Sequence, residues 1–491
     1  MFMKKKLLAL YATVITIVAC SSLALAAEED IGTNLPIWMI IPFVGMLLCI
    51  AICPLVNGEW WDKNKPWAVL LWSLLFLIPF AVMYGGGTML EHLLESVIGD
   101  YLTFIVLLFG LFCVAGNICL EGDLQGKPST NIKLLLIGTI LASWIGTTGA
   151  SMVMIRPLIR ANSWRKNSVQ VVVFFIFLVS NMGGALTPIG DPPLLMGFMR
   201  GVPFEWELAH LTPILIFNVI IMLIIFFFMD NKAYKKDIAA GLTYQAEGIK
   251  AKLHGSHNII FMLLIVFAVI LSGILPAMPA FQNAAGEVIS LHVYGDVALS
   301  VPNIIEIVLI LVAALLSFKT TKQEVRDNNH FTWAAIEEVA ILFIGIFITM
   351  IPALLLLKAH GAELGLNQPW QMFWATGALS SFLDNTPTYL VFLTTAGAEG
   401  ATAGIATTAG IVPAIMLVAI SCGAVFMGAN TYIGNAPNFM VKSIAEENHI
   451  KMPSFFGYML WAVKYLIPVF IIDTVIIEFV YPSFLSMIGA A

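Results

Sequence analysis

From residue 36 onward the chain is written in long apolar runs separated by short polar stretches. Runs at 36–56, 67–83, 101–120, 134–154, 169–190, 208–229, 257–276, 303–318, 334–357, 370–395, 405–430 and 459–480 approach the length a helix needs to cross a hydrocarbon core, about 20 residues. A bilayer satisfies no backbone groups, so only helices or a closed barrel can span it, and these runs are much too long for barrel strands. Several runs contain prolines or glycine clusters and need not be simple crossings.

Lysine and arginine placement orients the runs. The loops RPLIRANSWRK (156–166), DNKAYKKD (230–237) and FKTTKQEVR (318–326) are basic and belong on the cytoplasmic side, whereas 276–300 carries acids and no lysine or arginine. The loop EGDLQGK before 134–154 and the loop RPLIRANSWRK after it can share the cytoplasmic side only if that run enters and returns. A helical hairpin with its turn at WIGTTG (144–149) is therefore expected. The same reasoning makes 370–395 a hairpin entered from outside, with its turn at FLDNTP (382–387).

Two sequence echoes support this symmetry. ILASWIGTTGASMVM (140–154) lies over ALSSFLDNTPTYLVF (378–392), pairing Leu141 with Leu379, Ser143 with Ser381 and Thr148 with Thr386. IGDPPLLM (189–196) lies over IGNAPNFM (433–440), pairing Gly190 with Gly434, Asp191 with Asn435, Pro193 with Pro437 and Met196 with Met440. Both matches occur in the same order at a separation of about 240 residues. The predicted fold is an all-α polytopic membrane protein with inverted-topology repeats, each holding a re-entrant helical hairpin and an interrupted transmembrane helix, a common plan of secondary transporters. The first half spans 27–240, with hairpin 134–154 and broken helix 169–200. A cytoplasmic linker covers 241–256. The second half spans 257–491, with hairpin 370–395 and broken helix 405–445.

Composition agrees with the class. Of 491 residues, 59% are hydrophobic and only 11% charged, with mean hydropathy +0.92. The net charge of −6 and the lack of a basic patch exclude nucleic acid as a partner and leave the lipid bilayer as the surrounding one. Most of the six cysteines lie in apolar runs with no histidine nearby and read as helix-packing residues. The start, MFMKKKLLALYATVITIVACSSLALAAEED, has the shape of a secretory signal over 1–26, cleaved after Ala26. A lipoprotein box ending at Cys20 and an uncleaved first helix are the alternatives. The expected setting is multi-pass in a bacterial inner membrane.

The chemistry concentrates at the breaks. In NMGGALTPIGDPP (181–193), Asp191 stands between Gly190 and Pro192, and an acid inside a membrane is expensive unless it faces protein, water or an ion. Prolines at 188, 192 and 193 interrupt the helical ladder and free carbonyls that suit a hard cation. The same aspartate can take a proton when the ion leaves. The bland alternative is a polar loop near the membrane surface. At the second hairpin turn Asp384, Asn385 and Thr386 form another cluster, which a simple hairpin cap would also explain. The first turn offers Ser143, Thr147 and Thr148, and the second break offers Asn430, Thr431, Asn435 and Asn438. No nucleophile with a base and no metal triad is recognisable, so neither an enzyme nor a resident cofactor is expected.

SFLDNTP together with SNMGGALTPIGDPP resembles the ion transporter superfamily, and most closely NhaD-type sodium/proton antiporters and a related family described as putative citrate transporters. The architectural resemblance covers nearly all of 30–491. It implies that Asp191 and Asp384 carry cation and proton, making them the candidate metal ligands, with Asn181, Asn385, Thr386, Thr187 and Gly190 alongside. Ser143, Thr147, Thr148, Asn430, Thr431 and Asn435 are the candidate substrate-binding set. In the carboxylate-transporting branch both hairpin tips read Ser-Asn-Thr. Here the first reads Ile-Gly-Thr-Thr-Gly and the second has Asp384 where serine is expected, and an added acid repels a carboxylate. The reading is thus a sodium (or other monovalent cation)/proton antiporter, with a sodium-coupled citrate or dicarboxylate symporter as the alternative. Transported Na+ and protons are the expected small partners, or a carboxylate in the alternative, and the resemblance implies a homodimer.

Overall fold

A computed structural model describes residues 31–489 apart from 247, 249–251 and 330. The expected signal 1–26, with its alternative at Cys20, lies outside the described residues. Ten helical segments among those described are long and apolar enough to cross a membrane, so this is a multi-pass, membrane-embedded protein. The other two apolar runs do not reach that length. Run 370–395 is divided between Pro369–Ser380 and Asn385–Ala398, and run 405–430 contributes the shorter helical stretch Ala414–Asn430.

The described chain folds as two compact units, each drawing on separate stretches of sequence. The first comprises residues up to Ile105, Ile274–Ile305 and Ala334–His360. Its longest helix, Ile41–Tyr84, kinks at Asn57 (φ −154°, ψ 86°), which separates the two runs read from the sequence. Met39, Phe76, Phe80, Met89 and Ile348 form its core. The Tyr101 hydroxyl donates to Ala340 O at 2.8 Å and Ser96 Oγ to Phe347 O at 2.9 Å, so polar groups inside the apolar packing are satisfied. The segment expected outside carries an antiparallel hairpin, Ser290–Tyr294 with Val297–Ser300.

The second unit comprises Val106–Gly273, Glu306–Trp333 and Gly361–Ala491 and holds both hairpins and both broken helices. The first hairpin is α1 (Pro128–Ile145) and α2 (Thr147–Asn162), divided at Gly146, whose φ of +77° is a conformation glycine adopts without strain. This break falls inside WIGTTG, as expected, while the helices run beyond 134–154 at both ends. The hairpin ends adjoin: Gly126 N donates to Ala161 O at 2.8 Å, and Asn131 and Asn162 exchange side-chain amide bonds at 3.0 and 2.8 Å. Next come α3 (Val169–Leu178), a 3₁₀ turn Met182–Leu186, and α4 (Pro192–Met199). Helix α5 (Trp206–Ala239) shows Ile216, Ile220, Ile224 and Phe227 outward and buries Asn218, Met222 and Phe226, the sidedness of a helix between lipid and protein.

The second hairpin is α6 (Pro369–Ser380) and α7 (Asn385–Ala398), and the second broken helix is α8 (Ala414–Met427), a 3₁₀ turn Gly428–Asn430, and α9 (Ala436–Glu447). The broken helix starts later than 405. Ile405–Thr407 pairs with Gly410–Val412 as a small hairpin, because Gly404 (φ +139°) and Gly410 (φ +130°) turn the chain and Pro413 stands at the N-cap of α8. Besides helices there are thus three two-stranded sheets among the described residues, the third joining Cys119–Glu121 to Lys252–His254.

The stretches 119–126, 160–170, 230–237 and 252–254 meet at one end of this unit. Arg165 ion-pairs with Asp230 at 2.8 Å and with Asp237 at 3.2 Å, all three side chains being fully buried. Asn131 and Gln170 each donate to Asp230 at 2.9 Å, and Asn167 Nδ2 donates to Asp237 at 2.6 Å.

Candidate functional site

The break between α3 and α4 follows from its residues. Four helical carbonyls are orphaned where a helix ends, and Asn181 Nδ2 satisfies one by donating to Ile176 O at 2.8 Å. Asp191 is extended (φ −142°, ψ 140°) at the N-cap of α4, where proline at the first helical position needs no amide hydrogen. The glycines are required by close approach. A Cβ on Gly184 would lie 2.7 Å from Thr147 Cγ2 and 2.9 Å from Asp191 Cβ, and one on Gly190 would overlap the Gly184 carbonyl and sit 3.1 Å from Ser143 Cα. Gly190→Ala is expected to destabilise the protein by about 1–3 kcal/mol, since backbone cannot yield as a flexible side chain does. A thermal unfolding series of the purified protein checks this, with no drop in Tm as the contrary result.

Asp191 is 1% exposed and is the centre of the arrangement. Thr147 Oγ1, at the start of α2, donates to its Oδ1 at 2.8 Å. Asn385 Nδ2, at the start of α7, donates to Oδ2 at 2.9 Å. Asn435 Nδ2, at the N-cap of α9, reaches Oδ1 at 3.3 Å. Both hairpins and both breaks therefore meet on one carboxylate, each through the N-terminal end of a helix, where the dipole favours negative charge. Asn181 Nδ2 also donates to Asn438 Oδ1 at 2.7 Å, and Asn435 Nδ2 lies 3.1 Å from Ser180 O and 3.3 Å from Asn181 Oδ1.

The two hairpin-and-break sets use the same bonds. Ser143 Oγ donates to Gly183 O and Thr187 Oγ1 to Ser143 O. In the second set Ser381 Oγ donates to Met427 O at 3.1 Å and Thr431 Oγ1 to Ser381 O. Asn435 repeats the backbone of Asp191 (φ −147°, ψ 140°) and puts an amide where the first set has an acid.

The sequence-derived candidates divide accordingly. Ser143, Thr147, Asn181, Thr187, Gly190, Asp191, Asn385, Thr431 and Asn435 are buried or packed together in this network. Asp384 caps α7, its Oδ1 accepting from Thr386 N at 3.0 Å, and makes no hydrogen bond to Asp191. Thr386 is buried, yet its hydroxyl has no partner. Asn430 Nδ2 donates to Ser381 Oγ at 2.9 Å and leaves Oδ1 unpartnered. Thr148 is half-buried and outside the network. Asn438 is central in the structure. Ser180 and Ser380 also join the network, and no spacing in the sequence marks them.

A cleft of about 220 Å³ opens beside the second set, lined by Ser381, Asn430 and Thr431 together with Trp374, Phe382 and Met427. Among the described residues no lysine or arginine bonds to any member of the Asp191 network. No group of three or more His, Cys, Asp or Glu gathers among them to hold a metal. A cation at Asp191 would be completed by Thr147 Oγ1 and by the amide oxygens of Asn385 and Asn435, which a half-turn of each amide would bring round.

A family model described as "Putative citrate transport" (CitMHS_2) matches residues 32–478. The chain belongs to that family. Membership ties it to the ion transporter superfamily that its motifs resemble and makes it a transporter rather than an enzyme. No curated protein gives a significant match. Of the two functional readings, membership favours carboxylate transport over cation/proton antiport.

Proposed function

We propose that the chain is a secondary active transporter that moves a carboxylate such as citrate together with a coupling cation, sodium being the expected ion. The observation that carries this reading is Asp191, buried where both hairpins and both helix breaks converge. An anionic site with no basic residue binds a carboxylate poorly on its own, so the cation at Asp191 supplies the missing positive charge. The carboxylate then lies against that cation and the uncharged donors of the second set, among them the unpartnered Thr386 hydroxyl.

The two sets act as inverted repeats in this proposal, their hairpins re-entering from opposite faces of the membrane. The recurring serine–threonine bonds and the adjoining ends of α1 and α2 support it, as does the positive-inside placement of the basic loops. The halves 27–240 and 257–491 are its units.

The test is uptake of labelled citrate into liposomes holding the purified protein, with and without an inward sodium gradient. Sodium-stimulated accumulation is expected. Absence of citrate uptake overturns the reading. The lack of any basic side chain in the network favours one competitor, sodium/proton antiport through Asp191 and Asp384. Sodium-induced proton movement without citrate, followed by a trapped pH dye, would establish it.

A further inference from the structure

Asp191 leaves another buried carboxyl unexplained. Glu207 stands in the first turn of α5, 1% exposed, and neither of its oxygens has a partner in good hydrogen-bond geometry. Two more groups around it lack partners: the Tyr389 hydroxyl and Ser421 Oγ, on residues 0% and 1% exposed. Ser421 lies beside the Tyr389 hydroxyl and Glu207 is within its electrostatic reach. A Cβ on Gly197 would run into that hydroxyl, so Tyr389 reaches across to α4, the helix that Asp191 caps. Tyr389 also follows Asn385 by four residues on α7, which puts them on one face of that helix. Glu207 thus has two further unpartnered polar groups in its surroundings, Tyr389 and Ser421.

The titratable groups facing Glu207 are few. Glu205, exposed at the start of α5, is within electrostatic reach. His210, three residues on, has Nδ1 bonded to Trp206 O at 2.7 Å, stacks on the Trp206 ring and leaves Nε2 unpartnered. Helix α7 brings Tyr389, while the Tyr481 hydroxyl from the last helix donates to His210 O at 2.8 Å. Helix α4 contributes none. Among the described residues no lysine or arginine pairs with Glu207.

A bare carboxylate without donors or a counter-ion is several kcal/mol too costly to bury. A carboxylic acid instead brings its own hydrogen. It is uncharged, so its burial costs far less than that of the ion. Asp191 differs in geometry, with three donors aimed at its oxygens.

We propose that Glu207 is a proton-carrying residue of the transport cycle. It holds a proton as a carboxylic acid in this conformation and gives it to water when its surroundings are hydrated. The O–H bond then breaks with its electron pair remaining on the carboxylate, and the proton leaves as hydronium. This rests on the chain being a coupled transporter, but the protonation itself can be tested independently.

Infrared spectra of the reconstituted wild type and Glu207→Gln, in H2O and D2O, are compared first. The difference should contain one carboxylic-acid carbonyl band that shifts in D2O, and its absence would mean an ionised Glu207 and overturn the proposal. In liposomes, Glu207→Gln should lower citrate accumulation driven by a pH gradient by on the order of tenfold, while labelled citrate still exchanges. Accumulation that persists with the band lost would make Glu207 a structural acid and also overturn the proposal. If the wild type moves no citrate, the transport reading fails instead. Sodium-driven proton movement is then read in the same liposomes, and its survival in Glu207→Gln overturns the assignment. Should Glu207→Gln not fold, Glu207→Asp, which keeps the acid but moves it, should shift the acid band, and an unmoved band is the refuting result.

Discussion

Asp191→Asn is expected to abolish coupled transport while leaving a folded protein. The change is isosteric and removes the charge on which Thr147, Asn385 and Asn435 converge. It also turns an amide N–H towards groups that are themselves donors. Losing a charge-assisted hydrogen bond and leaving a buried donor unpaired costs about 3 kcal/mol, or on the order of 100-fold in rate or affinity. Citrate uptake in liposomes measures the loss, and an unchanged elution profile on size exclusion shows that folding survives. Uptake near wild type would remove Asp191 from the mechanism. Asp384→Asn separates the two functional readings. Asparagine caps a helix about as well as aspartate, so carboxylate transport should stay within about threefold of wild type. Under antiport, proton movement should instead vanish as it does for Asp191→Asn.

Arg165→Met is expected to produce the largest loss of stability. Its guanidinium is fully buried between Asp230 and Asp237 and also reaches Asn162 Oδ1 at 3.1 Å and the carbonyl of Gly126. Removing the cation leaves two buried carboxylates with neutral donors but no counter-ion, a loss of about 3–5 kcal/mol. Arg165→Lys keeps the charge but lacks the planar fork that serves both acids, and should fall between. Thermal unfolding of the detergent-solubilised protein orders the three. A methionine variant as stable as wild type would show that the triad contributes no net stability.

Much of this fold was legible because helix breakers are local. Gly146, the Gly183–Gly184 pair and the prolines around Asp191 interrupt apolar runs wherever the chain goes. The echo of IGDPP in IGNAP likewise pairs Asp191 with Asn435, and the two residues share backbone angles. Convergence is not local. Nothing in the sequence says that Asn435 would reach Asp191 or that Asn181 would bond Asn438. Glu207 falls at the very edge of an apolar run, where an acid reads as a surface residue, and only tertiary packing buries it. The residues at 405–412 are apolar enough to extend a span, but their glycines and the following proline turn them into a hairpin. Family membership, finally, shifted the weight from antiport to the carboxylate reading that the tip acid had argued against.

The amide bond between Asn181 and Asn438 has a mechanical consequence. One end belongs to the first broken helix and the other to the second, and Asn435 adds a hold on the Ser180 carbonyl. Asn438 Nδ2 meanwhile lies 2.9 Å from both Gly428 O and Thr431 O. Pulling the two breaks apart would strand several dry amide groups at about 1–3 kcal/mol each. Under the proposed transport cycle the two breaks are therefore expected to move as one piece. The alternating gate has to be sought in how the hairpin tips close over that piece, and a cross-link between positions 181 and 438 should leave transport running.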